Sequence, residues 1–225
     1  MNDQHRYKNF ISEIPSTAIE VYRMLPEGTR CEVIFNELIF PEPANEKTFK
    51  EYFPWRPTTA IEVYRMLPEG TRCEVIFNEL IMAPSPSWEH QSLQINLTVL
   101  LFQFLKENPV GNLASAPFDV YFEELQAVTQ PDLFVVLNQQ KDIIQKNGVH
   151  GVPDLIIEII SSNRSYDTQR KKSLYEKAGV KEYFLIDPEN KKTTLLTLNA
   201  DGLYEQTYEE TGVLKSAQLS CNIAF

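Results

Sequence analysis

Glu158 sits where a charge is least tolerated, inside the run DLIIEII with Ile156, Ile157, Ile159 and Ile160 around it. A β-branched run of this kind reads as a strand buried on both faces. A carboxylate in such a strand must be paired or metal-bound, because uncompensated buried charge is expensive. Two Pro-Asp steps ahead of apolar strands, Pro131-Asp132 and Pro153-Asp154, offer acids that could share a divalent ion with it. Asp154 lies four residues back on the same strand, about 13 Å away at about 3.3 Å per residue. Magnesium holds its oxygen ligands at roughly 2.0–2.1 Å, so that pair cannot share one ion. Asp132 opens a different strand, and neighbouring strands run only about 4.8 Å apart. If the two strands are adjacent, Asp132 and Glu158 can meet around one metal. The alternative is a structural ion pair between Glu158 and a lysine or arginine.

The segment after Glu158 carries a second constellation. Asp167, Lys171 and Tyr175 stand at i, i+4 and i+8, one face of a helix. On spacing alone an acid four residues before a lysine is an ordinary helix-stabilising pair. Its position directly after the Glu158 strand gives it a functional reading. His90 begins another stripe, continued at helical spacing by Leu93, Leu97, Leu100, Leu101 and Phe104 through Lys106, with Ser87 as the N-cap. It is either a buried or capping histidine or a group beside a site at the helix start.

These residues need elements to hold them. NLASAP, FDVYF and PDLFVV read as strands, followed by a polar stretch with a Gly-Val-His-Gly turn and then DLIIEII. Residues 165–178 are polar and helical and stop at Gly179. EYFLID is a further buried strand halted by Asp187-Pro188, and KTTLLTL and GLYEQTYEE close as antiparallel strands. A strand–helix–strand step among hairpins implies an α/β (α+β) mixed sheet with helices on its faces.

Thr17 to Ile39 reads TAIEVYRMLPEGTRCEVIFNELI, and Thr59 to Ile81 repeats those 23 residues without a change. Two perfect copies followed by unrelated sequence are not a solenoid, which stacks three or more units. They mark a recent partial duplication or an assembly error in the gene. Each copy reads as a short helix, a Pro-Glu-Gly turn and a hairpin about Phe-Asn. Only the second flows into the following helix, so it is expected to fill the single slot in the fold. The first would flap, cover a sheet edge or swap into a partner chain. The expected organisation is an extension over 1–58, holding the copy at 17–39, and a domain over 59–225.

The chain has 21 basic and 31 acidic residues, a formal charge of −10, which disfavours nucleic-acid binding through a broadly basic surface but leaves room for a local groove. No apolar run approaches the roughly 20 residues of a membrane span, and no signal peptide is visible. The three cysteines have neither metal nor disulfide spacing, and Cys31 and Cys73 are one position twice. A reduced, cytoplasmic protein is expected.

VTQPDLFVV, GVPDLIIEIIS, the Asp-x-x-x-Lys-x-x-x-Tyr pattern, AGVKEYFLIDP and the upstream RCEVIFNELIMAPSPSWEHQ together resemble the Uma-two restriction endonuclease family. That family lies within the PD-(D/E)XK nuclease superfamily, and the match runs from about Thr59 to Asp187. The resemblance implies a restriction-endonuclease-like sheet with an N-terminal hairpin, and cleavage of DNA phosphodiesters dependent on magnesium or manganese. Asp132 matches the motif aspartate and Glu158 the second carboxylate, both as metal ligands, and Glu74 on the opening hairpin is a possible third acid. The superfamily lysine belongs two residues after the second carboxylate, where this chain has Ile160. Lys171 is the candidate for a migrated lysine, with Lys172 as the fallback about 100° away around the helix. His90, Asp167 and Tyr175 are possible additional site residues. Phe77-Asn78 stands where the family tends to have Asp-Gly, a conformationally tolerable change. The expected protein is a homodimer acting on DNA. The rival is a nuclease-fold binding or interaction protein without turnover, favoured by the missing lysine and the acidic charge.

Overall fold

The computed structural model describes residues 32–34, 37–39, 59–67, 73–82, 85–160 and 166–225. By its contacts the chain divides into two units, Met1–Glu69 and Gly70–Phe225.

In the first unit, strands β1 (Glu32–Ile34) and β2 (Glu37–Ile39) pair antiparallel. Helix α1 (Ala60–Met66) opens on a capping box. The Thr59 hydroxyl accepts from the Glu62 N–H and the Glu62 carboxylate accepts from the Thr59 N–H, which satisfies two helix-end donors at once. In the second unit, β3 (Cys73–Ile76) and β4 (Glu79–Met82) repeat the hairpin of the first copy. Val33 faces Leu38 in one copy and Val75 faces Leu80 in the other, so identical sequence gives identical register. Phe77 and Asn78 between β3 and β4 take φ of 51° and 61°, the two positive-φ residues that a tight two-residue hairpin requires. The Pro-Glu-Gly turns of both copies lie outside the described residues, as does the fate of the first copy beyond its hairpin.

Downstream of helix α2 (Trp88–Glu107) the strands are β5 (Gly111–Ser115), β6 (Val120–Phe122), β7 (Ala127–Thr129) and β8 (Leu133–Leu137). Then come β9 (Ile144–Gln145), β10 (Gly148–His150) and β11 (Leu155–Ile159). A π-helical stretch, Tyr166–Lys171, runs into α3 (Lys172–Ala178), followed by β12 (Glu182–Ile186), β13 (Lys192–Leu198), β14 (Tyr204–Thr211), β15 (Val213–Ser216) and β16 (Cys221–Ala224). Six strands in the order β14-β13-β12-β11-β8-β5 make the sheet that carries Glu158, and six more in the order β4-β3-β7-β6-β10-β9 make a second. Within the first sheet, β11 and β12 are parallel, joined by the α3 crossover, and β8 pairs antiparallel to β11.

Alternation along β11 assigns the two cores. Ile156 packs with Phe134, Tyr183, Leu174 of α3 and Ile76 and Val120 of the second sheet. Leu155, Ile157 and Ile159 pack on the other face against Leu93, Leu97, Leu101 and Leu105 of α2 and Leu214 and Cys221 of the β15–β16 hairpin. The Glu158 strand is therefore the buried middle layer, as its apolar run requires.

Two local readings change. The buried stripe of α2 continues to Leu105, while Leu100 and Phe104 are only half-buried. Residues 148–150 are a strand, not a turn: Val149 pairs in parallel with Val120 and is fully buried. The glycine that suggested a turn serves close approach, since a Cβ at Gly148 would lie 2.8 Å from the Asp119 carbonyl oxygen.

Candidate functional site

Glu158 is nearly the last residue of β11 and is only 2% exposed. Lys171 Nζ donates to its Oε1 at 3.0 Å and its Oε2 at 3.1 Å. The Tyr175 hydroxyl donates to Oε1 at 2.7 Å and also reaches Thr129 Oγ1 at 3.3 Å. Lys171 and Tyr175 arrive together because Lys171 is the helical residue that precedes α3, four positions before Tyr175, on one helix face. The π-helical geometry of Tyr166–Lys171 sets where α3 begins, a distortion often found at functional sites. Asp167 lies within this stretch, and only its backbone is described.

The second sheet contributes Glu74 from β3. Its Oε1 receives Lys171 Nζ at 3.1 Å and the Gln130 N–H at 2.9 Å. Lys171 is thus an ammonium 6% exposed between two glutamates that are themselves 2% and 5% exposed. The Gln130 side chain in turn donates to Asp119 Oδ1 at 2.9 Å, so one residue ties Glu74 to the loop before β6.

Asp132 stands just ahead of β8. The β11–β8 pairing ends with Ile157 beside Leu133, the neighbours of Glu158 and Asp132 in sequence. Asp132 Oδ2 accepts from the Ile159 N–H at 2.7 Å and contacts His90 Nε2 at 3.1 Å. One turn along α2, the Gln94 side-chain amide donates to the Asp132 carbonyl at 3.0 Å, and the Ala116 N–H reaches the same carbonyl at 3.1 Å. Helix α2 therefore grips Asp132 at both its carboxylate and its backbone. It is aimed there by its start, where Ser87 Oγ caps the His90 N–H at 3.2 Å.

Burial, then the Glu158 carboxylate, push the Tyr175 phenol well above its ordinary range, with Lys171 pulling the other way. Tyr175 is therefore a neutral donor at physiological pH. Burial, Asp119 and Glu74 push the Cys73 thiol up to about 11, so the cysteine of β3 stays a protonated core residue.

Asp154 has different company. Its Oδ2 accepts from the Leu137 N–H at 2.8 Å and from the Gln140 amide at 2.5 Å, and its Oδ1 from Lys181 at 2.7 Å. At the position of the missing lysine, the Ile160 N–H continues the sheet to the Ile186 carbonyl at 2.8 Å. Gln94, Gln130 and Thr129 are site neighbours that the sequence reading missed. Gln94 had a signal: a glutamine between Leu93 and Leu97 on a buried stripe is the same kind of anomaly as Glu158.

The donor set admits a hard cation. Two carboxylates, Glu74 and Glu158, share the one buried lysine, and the Asp132 carboxylate is held separately by His90 and the Ile159 N–H. Among the described residues no group of three or more acidic, histidine or cysteine side chains has the geometry of a metal cage. A carboxylate pair completed by solvent and substrate oxygens is the magnesium habit, and Asp132 and Glu158, each one residue beyond the Leu133–Ile157 pair, are the acids that would hold such an ion.

This architecture, a mixed sheet flanked by helices with a hairpin at its entry, is a restriction-endonuclease-like fold. The crystal structure of a putative nuclease from Anabaena variabilis is similar, with a TM-score of 0.60 at 19% identity over 75% of this chain and 95% of that one. The sequence profile of the Uma2 family, described as "Putative restriction endonuclease", matches residues 60–222, and the chain belongs to that family. No curated protein matches it. Among the described residues no helix is long and apolar enough to cross a membrane.

Proposed function

We propose that the protein is a divalent-metal-dependent endonuclease that hydrolyses DNA phosphodiester bonds and works as a homodimer. The observation that carries the reading is Asp132, pinned at two of its atoms by α2 at the point where β8, the strand next to β11, begins. Such pinning preorganises a carboxylate for a ligand rather than for packing.

Asp132 and Glu158 would hold magnesium or manganese, and such an ion, when bound, supplies Lewis-acid stabilisation of phosphate charge and a more acidic water. The chain's own groups divide the remaining work. Tyr175, kept neutral, donates to Glu158 and fixes its carboxylate plane. Lys171 is a positive charge held beside Glu158 by Glu74, and would reach a phosphate oxygen by giving up one of its three carboxylate contacts. His90 and Gln94 orient Asp132.

One observation favours a second reading. Both oxygens of Glu158 already accept hydrogen bonds from a buried lysine, as in a purely structural ion pair inside a non-catalytic binding protein. Cleavage of supercoiled plasmid with Mg²⁺ or Mn²⁺ separates the two. The wild type is expected to nick or linearise the plasmid. Asp132→Ala and Glu158→Ala are expected to lose at least about a hundredfold in rate, because several kcal/mol of charge stabilisation goes with the ligand. Equal activity in all three would sink the enzymatic reading.

A further inference from the structure

Helix α2 has a second face that neither its core packing nor the grip on Asp132 uses. Trp88, Ile95, Val99 and Phe102 are 80%, 56%, 49% and 62% exposed. At 100° per residue they fall within an arc of about 60°, and along the axis they span about 21 Å. From Gln91 to Leu105 the helix has no charged residue, in a chain of formal charge −10. Single exposed apolar side chains are ordinary, but an aligned and uncharged row is a contact surface.

We propose that this face receives α2 of a second copy of the chain, packed antiparallel about a twofold axis near Leu97. Self-pairing follows from charge and size. Two copies of a strongly acidic protein repel wherever acid meets acid, and this row carries none. The ends are complementary: antiparallel pairing brings Lys106, in the exposed last turn, beside Trp88 and Glu89 in the exposed first turn of the other copy. The middle is complementary as well. With the axis at Leu97, Ile95 meets Val99 of the second copy, and Phe102 lies over Ser92 of the second copy, a large side chain above a small one. The opposite face of the same helix carries His90 and Gln94, so a dimer built here would stiffen the element that orients Asp132.

The proposal rests on the homodimer of the proposed function, and its readout is mass and cross-linking, so its failure leaves the cleavage reading to stand or fall separately. Sedimentation equilibrium of the full chain is expected to give a dimer, and Ile95→Glu with Phe102→Glu a folded monomer with near-wild-type thermal unfolding. A second experiment does not depend on those charges. Ser92→Cys and Phe102→Cys chains, mixed and oxidised, are expected to form a mixed disulfide, while neither alone cross-links at this helix. Like positions in the antiparallel pair are about 15 Å apart along the axis, beyond the roughly 7 Å limit for a disulfide. A monomeric wild type overturns the proposal, whether the row is open or covered by residues 1–58. So does a dimer that survives both glutamates, or a Phe102→Cys chain that cross-links to itself, which would mean parallel packing.

Discussion

The two ends of β11 each bury a carboxylate, and they treat it in opposite ways. At the entry, Asp154 is 2% exposed and balanced one to one. It accepts a backbone N–H, an amide and Lys181, whose side chain is 54% exposed and brings its charge from solvent. At the exit, Glu158 is equally buried, but its lysine is buried too and shared with Glu74. The first arrangement is locally neutral and complete, the pattern of a carboxylate that closes a turn. The second sets two buried glutamates on a single buried cation, the arrangement on which the proposed metal site would draw. The difference lies in the balance of partners, not in depth.

Substitutions at the two ends should therefore separate stability from activity. The largest effect is expected at Lys171. Lys171→Met leaves Glu158 and Glu74 buried without their cation, and breaking a buried pair costs about 3–5 kcal/mol. Urea unfolding should show that loss, and added Mg²⁺ should recover part of it if the ion takes over the neutralising role. A loss no larger than that of a surface lysine would erase the contrast between the two ends.

Next comes Asp154→Asn, which weakens the bonds from Leu137 and Lys181. A loss of about 1–2 kcal/mol is expected, the range for hydrogen bonds to a charged group with the lysine part discounted for its exposure. Cleavage by this variant should match the wild type once both are folded.

Tyr175→Phe removes the donor to Glu158 at an expected stability loss of about 1 kcal/mol. It also has a pH signature. The Tyr175 pKa is raised on folding above its ordinary 10.0, so the native state holds the proton more tightly than the unfolded chain. That contribution is fully present below pH 10 and is lost as pH rises beyond it. Between pH 9 and 11 the wild type should therefore lose more stability than Tyr175→Phe, measured by chemical unfolding at each pH. Parallel curves would remove Tyr175 from the cluster.

The smallest effect is expected at the hairpin tip, on the surface. Phe77 holds φ 51° with Lys177 4.8 Å above its ring. Replacing Phe77-Asn78 by Asn-Gly should change stability by less than about 1 kcal/mol, because relief of positive-φ strain offsets the lost cation–π contact. Thermal unfolding reads this directly.

What could be read in the sequence follows from which forces are local. Glu158 stood out because a carboxylate among isoleucines violates burial at its own position, and β8 does lie beside β11, the condition that strand spacing set for Asp132. The order of strands around α3 was legible for the same reason, since apolar runs and a Gly179 stop are local signals. The hydrogen bonds of Gln94 and Gln130 were not. They run to backbone atoms or side chains brought near only by the finished fold, the Gln94 bond across 38 positions and the Gln130 bond to Glu74 across 56. Gly148–His150 failed differently: its glycine satisfied a close approach to another strand, which from sequence alone looks the same as a turn.

The most direct test sets the two ends of β11 against each other in one assay. Single-turnover plasmid cleavage with Mn²⁺ would be measured for the wild type, Glu158→Gln and Asp154→Asn, each shown to be folded by circular dichroism. Cleavage by the wild type and Asp154→Asn at similar rates is expected, and none by Glu158→Gln. Undiminished cleavage by Glu158→Gln, or its loss only in Asp154→Asn, would contradict that expectation.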